Sequence, residues 1–210
     1  VTIKEEVILA HARCPARDQG LRPTCIAFAL AELNFDAATG AEPLSPEYAY
    51  QGAAYLVPSW VPGTGVPLGA ALRATSNGQP VESDFPYQAA EPIAPVPAPP
   101  ATLELHGGSV DILNLDTEAM SSILRQHRPV GIGLRLTHSF YVPVDGLVTF
   151  EAEAIKPVVL HAVAIVGLGW KDDEAYFLIR NSWGRGWGQD GVAWVSAKYV
   201  REHALCTFGA

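Results

Sequence analysis

The sequence predicts an α+β fold with two lobes. Three observations lead there. Apolar residues in the first half recur at helical spacing between recognisable caps, and those beyond residue 129 fall in short alternating or β-rich runs. Between them "EPIAPVPAPPA", Glu91 to Ala101, carries five prolines, so it can join neither a helix nor a ladder and should run extended. We expect one domain over residues 1–210, with an N-terminal arm at 1–11, a helical lobe at 12–100 and a β-rich lobe at 101–210.

The elements follow in order. "CIAFALAELNFDAATG" is apolar on nearly every side from Cys25 to Asn34 and predicts a central buried helix stopped by Gly40. In "LSPEYAY", Ser45 is an N-cap, Pro46 suits the first helical position and Glu47 the first turn, giving a helix near 46–54. "PLGAALRATSNG" reads as a short helix closed by Asn77 and Gly78. After the prolines, Asp116 caps "DTEAMSSILRQH", where Ala119, Met120, Ile123 and Leu124 share a face. "VGIGLRL" alternates Val130, Ile132, Leu134 and Leu136, and "HAVAIVGLG", "AYFLIRN" and "GVAWVSA" are expected as antiparallel strands of a sheet or barrel.

Bulk properties exclude several classes. A 210-residue chain that is 49% hydrophobic and 17% charged is not disordered, and no apolar run approaches the roughly 20 residues of a membrane span. Twenty-two acidic against 14 basic residues give a formal charge of −8, which argues against nucleic acid as a partner. Three cysteines are too few for a disulfide framework and lack paired metal-ligand spacing. No metal or cofactor is expected. The opening "VTIKEEVILAHARC" is acidic where a secretory signal would be basic.

Three residues could carry chemistry together. Thiol nucleophiles need a thiolate, an imidazole, a group that orients the imidazole and donors for an oxyanion. Cys25 stands where a loop enters a helix, a place that lowers a thiol's pKa. His161 opens one predicted strand and Asn181 ends the next, so antiparallel pairing would set them side by side. Taken singly, each reads as structural: a packed cysteine, a core histidine, a turn asparagine. Their joint occurrence in the order Cys, His, Asn reverses that reading.

That order and its surrounding motifs resemble the papain-like cysteine peptidases of the C1 family, for which this arrangement is a documented signature. The matching stretches are "DQG" with "CIAF", "LSPEYAY", "GTGVPLGAAL", "DFPY", "HAVAIVGLG" and above all "IRNSWGRGWGQDGVAWV". The resemblance implies a two-lobe papain-like fold with a cleft. It implies Cys25 as nucleophile, His161 as general acid/base, Asn181 as acceptor of the imidazole N–H and Gln19 as an oxyanion donor beside the Cys25 backbone N–H. Trp183 would cover the His161–Asn181 bond. Gly65 would offer backbone hydrogen bonds to an extended polypeptide substrate, and Val66, Pro67, Val159 and Leu160 would line the pocket for the second residue before the scissile bond.

The chain also departs from the family. Cys-Gly-Ser usually precedes the nucleophile and an aromatic residue follows it; here Arg22, Pro23, Thr24 and Ile26 stand instead. The usual first disulfide is impossible, and a Cys14–Cys206 pair is left as an alternative. Loss of that staple favours a cytoplasmic protein or a delivered effector over a disulfide-rich secreted one. The expected activity is endopeptidase hydrolysis through a Cys25 thioester. The alternatives are acyl or peptide transfer by related chemistry and a peptide-binding module without catalysis. The chain begins shortly before Cys25 and suits a mature enzyme or a domain of a larger bacterial effector, with an inhibitor, pro-segment or immunity protein as restraining partner.

Overall fold

The run after Thr24 is helical, and its alanines explain how it is buried. Ala27, Ala29 and Ala31 let neighbouring backbones approach, while Phe28, Leu30 and Leu33 fill the spaces between them. The computed structural model describes residues 2–35, 42–108 and 110–209, so Gly40, the expected stop, lies outside the described residues. The helix itself ends earlier, at Asn34, where Phe35 turns extended.

The chain divides into two units, one of residues 19–111 and one of residues 1–18 with 112–209. The first unit contains α1 (Cys25–Asn34), α2 (Pro46–Tyr55) and α3 (Leu68–Ala74). The Ser45 hydroxyl accepts the Tyr48 N–H at 3.0 Å and Pro46 opens α2, which is the start its sequence predicts. Ala27, Ala49, Tyr50, Ala54, Trp60 and Val96 form a core cluster in this unit. The proline-rich stretch forms no helix or strand.

The second unit holds β1 (Lys4–Ile8), a 3₁₀ turn (Ala10–Arg13), all but the first residue of β2 (Asp111–Leu113), α4 (Thr117–Arg125), β3 (Val130–Arg135), α5 (His138–Tyr141), β4 (Leu160–Lys171), β5 (Glu174–Arg180), β6 (Val192–Ser196), α6 (Ala197–His203) and β7 (Ala204–Gly209). The strands form one sheet in the order β2-β7-β3-β4-β5-β6, with β1 pairing β4 where β3 has ended. Val130, Ile132, Leu134 and Leu136 are all fully buried, as their alternation predicts. Asp116 caps α4 by accepting the Glu118 N–H at 3.0 Å.

The two units divide the chain after residues 18 and 111, and local bonds near each point account for it. Within the N-terminal arm, β1 lies antiparallel on β4, where a Cβ at Gly167 would stand 2.9 Å from Val7 O and one at Gly169 would stand 3.0 Å from Lys4 O. The Arg180 guanidinium then donates to Cys14 O at 2.9 Å and Pro15 O at 2.7 Å, and Gly184 N–H donates to Arg17 O at 3.0 Å. Those bonds fasten residues 14–17 to the end of β5. At the other boundary, Gln79 and His106 exchange two backbone hydrogen bonds of 2.8 Å, which hold residues just past 101 against the helical unit. Cys14 and Cys206 are both free thiols, so the alternative disulfide is not formed.

Candidate active site

Strand β4 starts at Leu160, so its second residue, His161, faces the sheet's end rather than its middle. Ala164 pairs with Arg180 across β4 and β5, which brings His161 and Asn181 past the last cross-strand pair together. The side chains meet there, with His161 Nε2 2.7 Å from Asn181 Oδ1. Ser182 N–H also donates to that same Asn181 atom at 2.8 Å. A backbone N–H needs an acceptor, which identifies the atom as the oxygen and therefore makes Nε2 the protonated ring nitrogen. Nδ1 is left as the basic nitrogen of the neutral ring.

Aromatic rings wall this pair. The Trp183 ring lies 4.6 Å from the His161 ring, tilted by 33°, and Phe140 meets His161 edge-on at 5.9 Å. Tyr141 stacks on Trp183 at 5.2 Å, and Trp187 Nε1 donates to Phe140 O at 2.7 Å, fixing the wall from behind. His161 is only 5% exposed and Asn181 3%. Burial pulls the imidazolium pKa down to about 4, opposed by the bond to Asn181. Sequence reasoning names Trp183 and quotes Trp187 within the same motif, and it gives no place to Phe140 or Tyr141. Phe140 and Tyr141 lie in a four-residue helix with no periodic signal to mark them.

In the helical unit, Cys25 is the first residue of α1 and is half-buried. Thr24, its N-cap, turns its hydroxyl to Tyr87 at 2.9 Å instead of capping the helix. Gln19 is buried and its Nε2 donates to Arg22 O at 2.7 Å, closing a turn just before the helix. Gly65 is exposed, and a Cβ there would stand 3.7 Å from Pro23 O, beside the loop leading to Cys25. Thr64 O accepts from Tyr50 Oη at 2.7 Å and from Trp60 Nε1 at 3.2 Å, which anchors the segment leading to Gly65 and Pro67. Val66 packs partly against the helical core cluster and Pro67 is exposed. Val159 and Leu160 are exposed in the sheet unit, where Leu160 pairs across β3 with Arg135.

Among the described residues no three or more His, Cys, Asp or Glu side chains cluster as metal ligands. His161, Asn181 and Trp183 thus come together in one unit; Gln19, Cys25, Gly65, Val66 and Pro67 belong to the other.

The chain is similar to known proteins. The profile of the papain family cysteine protease, Peptidase_C1, matches residues 64–207, a span that includes His161 and Asn181 and begins after Cys25. The chain belongs to the papain family of cysteine proteases. It is 29% identical over 117 residues to cysteine proteinase 3 of Entamoeba histolytica, covering 55% of this chain and 37% of that protein. It is 31% identical to a cathepsin L-like peptidase of Aedes aegypti, covering 55% and 34%. Over 65 residues it is 43% identical to thiol protease aleurain of Arabidopsis thaliana, covering 30% and 18%. The matched segment therefore spans about a third or less of the length of these curated relatives.

Two solved structures share the fold. Xylellain, a cysteine protease from Xylella fastidiosa, superposes with a TM-score of 0.78 at 20% identity over 99% of this chain and 85% of that one. Digestive procathepsin L 3 of the Tenebrio molitor larval midgut gives 0.72 at 20% identity, over 93% and 66%.

Proposed function

We propose that this chain is a cysteine endopeptidase acting on extended polypeptides, with Cys25 as nucleophile, His161 as general acid/base, Asn181 as the group orienting the imidazole and Gln19 as an oxyanion donor. The observation that carries this reading is the 2.7 Å His161–Asn181 bond under Trp183, present in a chain of the papain family. It fixes the ring as the Nε2–H tautomer and reserves Nδ1 for proton transfer.

In the reaction, His161 Nδ1 holds the thiol proton and the Cys25 thiolate attacks the scissile carbonyl. The Gln19 amide and the Cys25 backbone N–H stabilise the oxyanion. Collapse of the tetrahedral intermediate breaks the C–N bond, the leaving amine takes the proton from Nδ1, and an acyl thioester on Cys25 remains. Water, giving a proton to Nδ1, attacks the thioester; the carboxylic acid leaves and the proton returns to sulfur. No redox step or cofactor enters this balance.

The substrate pocket follows from the same reading. Val66, Pro67, Val159 and Leu160 are all apolar, so the second residue before the scissile bond should be Leu, Val or Phe in preference to Arg or Lys. Burying such a side chain contributes about 1.5–3 kcal/mol, worth roughly tenfold or more in kcat/KM. A restraining pro-segment or inhibitor occupying the same substrate groove fits this reading.

The test is labelling and cleavage together. A thiol-directed, peptide-like electrophile should modify Cys25 and abolish cleavage of a denatured protein, and Cys25→Ala should be inert to both. Cleavage that persists in Cys25→Ala would refute the assignment. A panel of fluorogenic dipeptides reads the pocket separately, where a preference for Arg would overturn its residues alone.

A further inference from the structure

A guanidinium is buried three residues before Cys25, and the proposed reaction does not use it. Arg22 is 4% exposed and Glu47 fully buried. Arg22 Nη1 donates to Glu47 Oε2 at 2.5 Å and Nη2 to Oε1 at 3.2 Å, a two-pronged ion pair. Nη1 also donates to the Gln88 carbonyl, and Glu91 Oε1 stands 3.5 Å from Nε, an ion-pair distance. The guanidinium carbon lies over the rings of Tyr50 and Tyr87, 5.0 and 4.9 Å from their centroids. Glu47 accepts further bonds from Gln51 Nε2 at 2.7 Å and Gln88 N–H at 3.2 Å.

Tyr87 connects this cluster to the loop before the nucleophile. Its hydroxyl donates to Gln19 O at 2.8 Å and lies 2.9 Å from Thr24 Oγ1, while its ring meets Phe28 of α1 edge-on at 4.9 Å. One side chain thus touches the start of the loop, its end and the helix that follows. Arg22 O, on the same loop, accepts the Gln19 side-chain amide. A buried ion pair adds little net stability over apolar packing, so its position calls for another account.

We propose that Tyr87, Arg22 and Glu47 are positioning residues that hold the Gln19–Thr24 loop in register with α1. This rests on the proposed peptidase reaction and adds a role to it. Oxyanion donors act strongly because they are already in place when charge develops, and a displacement of about 1 Å removes much of that advantage.

The experiment compares wild-type protein with Tyr87→Phe, which deletes only the clamping oxygen, and with Thr24→Val, which deletes one of its partners. Three quantities are read: kcat and KM on one fluorogenic peptide, affinity for a peptide aldehyde, and the pH-dependent rate of alkylation by iodoacetamide. The aldehyde forms a tetrahedral adduct that needs the oxyanion donors; iodoacetamide displacement needs only the thiolate. Tyr87→Phe should lose about tenfold in kcat with KM little changed, less than the roughly 10²–10³ for deleting a donor outright. Its aldehyde affinity should fall by a similar factor, and its alkylation profile should stay that of the wild type. Thr24→Val should show the same pattern, more weakly, and carries the test alone should Tyr87→Phe not fold. Unchanged kcat and aldehyde affinity in the folded variants would overturn the role of Tyr87, as would an equal loss in all three readouts. A wild-type protein that neither cleaves peptides nor binds the aldehyde would overturn the peptidase reading and this inference with it.

Discussion

Asn181 does two things with one atom, since its Oδ1 accepts both His161 Nε2–H and Ser182 N–H. Asn181→Ala leaves both donors buried without an acceptor, at a cost of about 1–3 kcal/mol in stability. Its kcat should fall, but less than that of His161→Ala, because Asn181 carries no charge and transfers no proton. Urea unfolding and steady-state kinetics on the two variants check the order. His161 itself gives a sharper result. Burial alone pulls its pKa from an ordinary 6.5 down to about 4, so with no thiolate beside the ring the folded chain binds fewer protons than the unfolded one between those values. Stability from this group is therefore complete above about 6.5 and is lost as pH falls toward 4, by of order 3 kcal/mol. Cys25→Ala should show that loss in full and titrate His161 near 4 by NMR. In the wild type the proposed thiolate favours the imidazolium, so His161 should titrate higher. Equal values in the two proteins would refute the ion pair.

At the scale of elements, the sheet depends on close contacts that single atoms would break. A Cβ at Gly131 in β3 would lie 2.2 Å from the Phe208 ring of β7, with both residues buried. Gly131→Ala should cost about 1–3 kcal/mol through overpacking, seen as a lower urea midpoint at unchanged slope. Ser45→Ala removes a helix cap that also donates to Phe85 O at 2.5 Å, and should cost about 1–2 kcal/mol by the same assay. These two positions also show what could be read without coordinates. The α2 start was legible because Ser45, Pro46 and Glu47 each act within one helical turn, and the Asp116 cap of α4 was legible for the same reason. β1 and β7 were not. "KEEVI" and "ALCTFG" are short, carry no strong alternation, and become strands only because β4 and β3, distant in sequence, offer them an edge. The site divides in the same way: His161, Asn181 and Trp183 sit in two of the quoted motifs and Tyr87 ends a third, "DFPY", whereas Phe140 lies in none of them and reaches its position through folding alone.

Across the whole molecule, cohesion comes from packing and hydrogen bonds, without a disulfide at Cys14 or Cys206. Cys206 is half-buried with its Sγ against Gly133, where burial pushes the thiol pKa up, and Cys14 Sγ lies 3.8 Å from Ala10 O. Composition could not decide whether these two thiols pair, because the answer depends on where two chain ends lie. Both Cys14 and Cys206 are reduced in the structure. Stability should therefore be blind to reductant while activity is not. A disulfide closing so long a loop would contribute about 2–4 kcal/mol or more. At about 2–4 °C per kcal/mol for a chain of this size, reducing it would lower Tm by roughly 4–16 °C. The expected result is the same Tm with and without millimolar dithiothreitol, alongside peptide hydrolysis that rises with reductant as Cys25 is kept a thiol. A Tm that drops by several degrees on reduction would reveal a cross-link and overturn the account of how this fold is held.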